Sequence, residues 1–194
     1  MTRTRVAILI SGRGSNMQSL VAAAAAPDYP AEIALVLTNK PHAKGLEFAS
    51  QANIPTAIVD HTAYATREDF ERALDEILHA HSIQLVALAG FMRVLTPWFV
   101  ERWAGKLINI HPALLPKFKG LDTHQRALDA GETEHGCTVH YVNAGVDEGT
   151  IIAQAAVLVL PDDTADTLAA RVLQAEHALY PKALADVCRA RKLQ

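Results

Sequence analysis

Near its start the chain reads Val6-Ala-Ile-Leu-Ile-Ser-Gly-Arg-Gly-Ser-Asn16. Five consecutive apolar residues suit a strand buried on both faces, as in a parallel sheet. Gly12 and Gly14 then make a turn, and the following residues predict a helix over Met17 to Ala26, capped by Ser15 or Asn16. Strand, glycine turn and helix present free backbone N–H groups and a positive helix end to an anion. A plain strand-to-helix turn has the same composition, so a phosphate site and a bare turn both stay open at this point. Met17 stands where a dinucleotide fingerprint has its third glycine, and no Gly-Lys-Ser/Thr follows.

Working outward, strands and helices alternate. Strands are expected at Glu32 to Thr38, Thr56 to Asp60, Leu85 to Gly90 and Lys106 to Ile110. Between them lie helices over Lys40 to Gln51, opened by Pro41, and over Thr66 to about His81, opened by a Thr66/Asp69 capping box. Phe70, Leu74, Ile77 and Leu78 share one face of the latter. A short helix follows Thr96-Pro97. This alternation argues for a doubly wound, mostly parallel α/β sheet, whose ligands gather at strand carboxyl ends. Beyond a helix over Thr123 to Asp129, an alternating strand from Gly136 to Asn143 and another from Ile151 to Leu160 predict an antiparallel extension. A long helix then starts at Asp163 or Thr164 and is expected to break or kink at Pro181.

One strand stands apart. Leu107-Ile-Asn-Ile-His-Pro112 carries Asn109 and His111 in an apolar run that Pro112 stops. Residues i and i+2 of a strand share a face, so the two point the same way, about 7 Å apart. An amide and an imidazole so placed can hold an oxygen on which negative charge develops. A turn-capping Asn beside a strand-ending His is the competing account.

The 194 residues, half of them hydrophobic, suit a single domain with a sizeable core. A net charge of −3 offers no basic footprint for nucleic acid, and the tail Arg189-Ala-Arg-Lys192 reads as a solvated end. Two cysteines make no disulfide framework, and no apolar run reaches membrane-spanning length, so a cytoplasmic protein is expected. His135, Cys137 and His140 fit no zinc spacing, so no metal is expected.

In this order, Ser11-Gly-Arg-Gly-Ser-Asn16, Ala89-Gly-Phe-Met-Arg-Val-Leu95, Asn109-Ile-His-Pro-Ala-Leu-Leu-Pro116, Gly136-Cys-Thr-Val-His-Tyr-Val142, Val146-Asp-Glu-Gly149 and Gln174-Ala-Glu-His-Ala-Leu-Tyr-Pro181 resemble the folate-dependent formyltransferases, in particular the phosphoribosylglycinamide formyltransferases. The likeness spans essentially the whole chain. It implies a Rossmann-like fold over 1–194, with an acceptor-binding amino-terminal half and a folate-binding carboxy-terminal half. It also implies transfer of a formyl group from 10-formyltetrahydrofolate to the amine of glycinamide ribonucleotide in purine biosynthesis, by direct attack through a tetrahedral intermediate. By resemblance Asn109, His111 and Asp147 are catalytic. Gly12, Arg13, Gly14, Ser15, Asn16, Gly90, Pro112 and Glu176 would serve the acceptor. Arg67, Met92, Arg93, Val94, Leu95, Val142, Ala144, Gly145 and Val146 would serve the folate, Arg67 its glutamate tail. Small molecules are the implied partners, with no nucleic acid or membrane, for a monomer or homodimer. Ala144, Lys119 and Asp122 depart from the family's commoner residues. Against this stand a formyltransferase of another amine, and a nucleotide-binding module, which would have no need of the Asn109, His111 and Asp147 set.

Overall fold

The computed structural model describes residues 2–191. Lys192 of the basic tail lies outside them. Seven strands form one sheet in the order β3-β2-β1-β4-β5-β6-β7. Here β1 is Thr4–Ile10, β2 Ala31–Thr38, β3 Thr56–Ile58, β4 Leu85–Leu88, β5 Leu107–His111, β6 Glu134–Tyr141 and β7 Ile151–Leu158. Strands β1 to β5 pair in parallel, and β6 and β7 run antiparallel. The predicted doubly wound sheet and its extension are both present. Strand order reverses between β1 and β4, which opens a crevice at their carboxyl ends.

Alternation along each strand divides the core in two. Val6, Ile8 and Ile10 face α1 (Ser15–Ala24) and α6 (Ala165–Arg191), while Ala7 and Leu9 face α3 (Arg67–Ala80) and α4 (Pro97–Arg102). Both layers contain fully buried side chains, among them Tyr180 and Met17 on one side and Phe70 and Phe99 on the other. Burying each contributes roughly 1.5–3 kcal/mol. The Tyr180 hydroxyl, inside the apolar layer, donates to Leu88 O at 2.9 Å, which relieves the cost of its burial.

Four local expectations are corrected. Helix α1 begins at Ser15, and its cap is Gly14 in the left-handed region, with no side-chain bond; Ser15 and Asn16 are inside the helix. Helix α2 is Gly45–Gln51, because Lys40 to Lys44 form turns before it. Strand β6 does not alternate: it is buried from His135 to His140, covered on both faces. Helix α6 continues through Pro181 to Arg191. The ring deletes one N–H, yet Tyr180, Ala183, Leu184 and Val187 bury around it, and that packing outweighs a cost of about 3 kcal/mol. Thr164 does cap α6, accepting from Thr167 N at 3.2 Å. Thr66 likewise caps α3 through Asp69 N, and Thr96 caps α4.

Close approach of β6 and β7 depends on Gly136, where an added Cβ would lie 2.0 Å from Ala155 O. Because that obstacle is backbone, Gly136→Ala should destabilise the protein by about 1–3 kcal/mol. The check is a lower urea midpoint at unchanged slope.

Candidate active site

A cleft of about 700 Å³ opens at the carboxyl ends of β4 and β5. Its wall holds Asn109, His111 and Asp147 together with Asn16, Gly90, Pro112 and Glu176. Met92 to Leu95 form one side, and Val142 with Ala144 to Val146 form the other. Sequence positions 16 to 176 thus converge on one crevice, as a doubly wound sheet requires. Arg67 lies outside this wall, exposed in the first turn of α3. Gly12 and Arg13 line a second cavity, and Gly14 and Ser15 line neither. Gly14 has φ +70°, and a Cβ there would meet the Met17 methyl at 2.9 Å. The fold itself therefore requires Gly14, whereas Gly12 faces open space.

The centre of the cleft is Asp147, in the turn after β6 with φ +52°. Its Oδ2 lies 3.2 Å from His111 Nδ1 and accepts from Gly120 N at 2.9 Å. Oδ1 lies 3.6 Å from His140 Nε2. Burial pushes the carboxyl up, but the neighbouring His140 ring, the Gly120 N–H and His111 hold it below the ordinary aspartate value. Asp147 is therefore an ionised carboxylate at neutral pH.

His111 is 5% exposed, and Nε2 donates to Phe118 O at 2.9 Å. A carbonyl only accepts and a carboxylate prefers N–H, so both ring nitrogens of His111 face acceptors. His140 is the partner that sequence reasoning missed. Its Nδ1 donates to Tyr141 O at 2.8 Å, and its Nε2 lies 3.3 Å from Asn109 Nδ2 and 3.6 Å from Asp147 Oδ1. The antiparallel register pairs Asn109 directly with His140. No sequence signal marked this, because the side-by-side pairing exists only once β6 docks on β5. The amide of Asn109 keeps a second N–H for a ligand.

At the acceptor end, Asn16 Nδ2 donates to Glu176 Oε2 at 2.6 Å. Asn16 Oδ1 is buried with no partner among the described residues. It can take an N–H or O–H from a ligand. Glu176 is 6% exposed, so it is no solvated helix face; burial pushes its carboxyl up, partly offset by Asn16. Backbone pairing in α1 begins only with Gln18 N on Gly14 O at 2.9 Å. The earlier N–H groups of the helix thus lack helical acceptors, as an anion site needs. Cys137 is buried and its thiol is pushed up to about 12 by burial and Glu176, which disqualifies it as a nucleophile.

A family model described as formyl transferase matches residues 4–184. The chain belongs to the formyl transferase family. It is 45% identical to the phosphoribosylglycinamide formyltransferase of Haemophilus influenzae over 177 residues, 91% of this chain and 84% of that one. It is 51% identical over 185 residues to the trifunctional purine biosynthetic protein adenosine-3 of Drosophila melanogaster, covering 94% of this chain. The chain spans only 14% of that relative's length. Among solved structures, phosphoribosylglycinamide formyltransferase from Brucella melitensis matches with a TM-score of 0.93 at 51% identity, covering 96% of each chain. The likeness places this formyl transferase chain on a Rossmann-like fold. Among its described residues, no helix is long and apolar enough to cross a membrane.

Beside the site, burial, with neighbouring His124, pushes His135 down to about 4. The unfolded chain binds a proton near pH 6.5, while folded His135 stays neutral to about pH 4. Stability should therefore fall as pH drops through this window, by up to about 3 kcal/mol from this group. His135→Asn should flatten that part of the profile, measured as Tm between neutral pH and pH 5.

Proposed function

We propose that the chain is a phosphoribosylglycinamide formyltransferase. It moves the formyl group of 10-formyltetrahydrofolate to the amine of glycinamide ribonucleotide in purine biosynthesis. The observation that carries the reading is one carboxylate, Asp147, gripped by His111 and lying against His140, with Asn109 beside it at the bottom of a cleft. A binding module has no use for that set. The identity to named formyltransferases supports the same substrates.

In this reading one domain over 1–194 holds both substrates, and the protein works in the cytoplasm as a monomer or homodimer. The acceptor phosphate lies against the start of α1, and its amide body reaches Asn16 and Glu176. The folate ring lies between Met92–Leu95 and Val142–Val146, with Arg93 beside it. The amine attacks the formyl carbon, and the carbonyl electrons move to oxygen. Asn109 donates its remaining N–H to that oxyanion. His111 supplies positive charge, which Asp147 fixes in place. Direct donation by His111 requires that Phe118 O release Nε2. Asp147, directly or through a water, takes the proton of the attacking amine. Collapse breaks the bond from the formyl carbon to N10, and N10 takes up a proton. No covalent protein intermediate and no metal take part.

The test is a spectrophotometric assay of folate-dependent formylation of glycinamide ribonucleotide. Asn109→Ala should lower kcat by about 10²–10³ with little change in either KM, since the bond exists mainly in the transition state. His111→Ala should act likewise, and the double variant should lose less than the product of the two. Asp147→Asn keeps the shape and removes the charge, so it should lower kcat and displace the acidic limb of kcat/KM. Near wild-type kcat in both alanine variants overturns the mechanism.

A further inference from the structure

The second cavity, of about 560 Å³, lies outside the proposed formyl-transfer cleft. Segments that follow the carboxyl ends of β1, β2 and β3 form it, and Arg13, Lys40, His42, Lys44 and His61 contribute to its wall. Several cations elsewhere in this protein face carboxylates, as Arg5 does Glu32, Lys117 Glu132, Lys119 Glu148 and Arg171 Asp163, and others bond backbone carbonyls, as Arg3 does Ala31 O. Arg13, Lys40 and Lys44 have no carboxylate partner among the described residues. The one acid of the wall, Asp60, accepts from Thr62 N at 2.9 Å and from its hydroxyl at 2.8 Å, and its Oδ1 lies 4.0 Å from His61 Nδ1. Three unpaired cations in one concavity repel each other, and an anion between them removes that repulsion.

The floor is ordered and polar. Asn39 is fully buried and Ser11 is 6% exposed. Ser11 Oγ donates to Asn39 Oδ1 at 2.6 Å, and Asn39 O accepts from His61 Nδ1 at 2.8 Å. This fixes the imidazole tautomer and leaves His61 Nε2 for a ligand. Gly12 opens onto the cavity with no heavy atom within 4 Å of a would-be Cβ, so a ligand can approach its backbone. Pro41 and Ala43 add apolar wall. The volume far exceeds that of a bare phosphate, given about 30 Å³ for a water. A phosphate with a carbon body attached fits better.

We propose that this cavity binds the phosphate group of a small phosphate ester, at a site separate from the formyl-transfer cleft. Ser11 joins the two: its hydroxyl also accepts from Met92 N at 2.8 Å, in the wall of the cleft. The inference does not rest on the proposed reaction, and its test does not use activity.

The experiment is an amide ¹H–¹⁵N NMR titration of the whole chain with ribose 5-phosphate, with inorganic phosphate in parallel. Lys40→Gln/Lys44→Gln is the variant, since both side chains are exposed and their removal spares the core. The expected result is saturable shifts at Gly12, Arg13 and Asn39 to Lys44. The double variant should bind at least about tenfold more weakly there, the loss expected for two charge contacts. Shifts confined to Ser15 to Met17, unaffected by the double variant, would assign the phosphate to the helix start and overturn the proposal. So would an absence of saturable shifts. Tighter binding of inorganic phosphate than of the ester would overturn the ester and leave a free-anion site. Unchanged amide dispersion in the variant confirms that it is folded.

Discussion

A carboxylate largely withdrawn from solvent needs partners or it will not stay charged, and Asp147 has three. His111 comes from the end of β5, His140 from β6, Gly120 N–H from the loop before α5 (Thr123–Asp129), and the residue itself sits in the turn toward β7. One charge therefore ties two core strands to two surface loops. The geometry is demanding. Asp147 accepts a left-handed backbone, and so do Phe118 and Asp122 in the loop that leans on it. Strain of this kind persists only where surrounding bonds over-determine it. Here Lys119 pairs with Glu148 at 2.9 Å and Arg126 donates to Lys119 O at 2.6 Å, bracing the loop from both sides. Asp122 takes the left-handed position ahead of α5, a conformation that Asp tolerates better than most residues.

The same network sets how the amide and imidazole divide their roles. His140 faces a carbonyl on one nitrogen and lies against both Asn109 and Asp147 with the other. His111 faces a carbonyl with one nitrogen and a carboxylate with the other. Two imidazoles on one aspartate thus differ because their second contacts differ. The antiparallel turn of β6 is what brings this about.

Much of this was legible in sequence, for reasons that can be named. Period-two and glycine-turn signals are local, so β1, β2, β5, the caps at Thr66 and Thr96 and the Asn109/His111 face all emerge from short windows. What failed depends on neighbours. Met17 fills the place of a third glycine because its methyl packs against Gly14 and Gly45, so the turn closes on the core rather than on a ligand alone. Ser15 and Asn16 look like caps, but Asn16 is claimed by Glu176, 160 residues away. Pro181 reads as a stop, yet Tyr180 on one side and Leu184 on the other are anchored in the core, and Tyr29 donates to Pro181 O at 2.6 Å.

Those long-range contacts also explain how the second cavity connects to the cleft. Ser11 closes β1 and touches both: Asn39 after β2 on one side, Met92 after β4 on the other. Its N–H is tied to Gly90 O at 3.0 Å, so it cannot shift toward one neighbour without disturbing the other. The segment Met92–Leu95 has no regular structure, and its far end is held by Glu71, which accepts from Thr96 N at 2.8 Å. Glu71 is fully buried, and burial pushes its carboxyl up against the bonds from Thr96. The loop that walls the cleft is thus clamped by a hydroxyl at one end and a buried carboxyl at the other. A wall without ladder hydrogen bonds keeps its shape through those two side chains, and both lie outside the reacting centre.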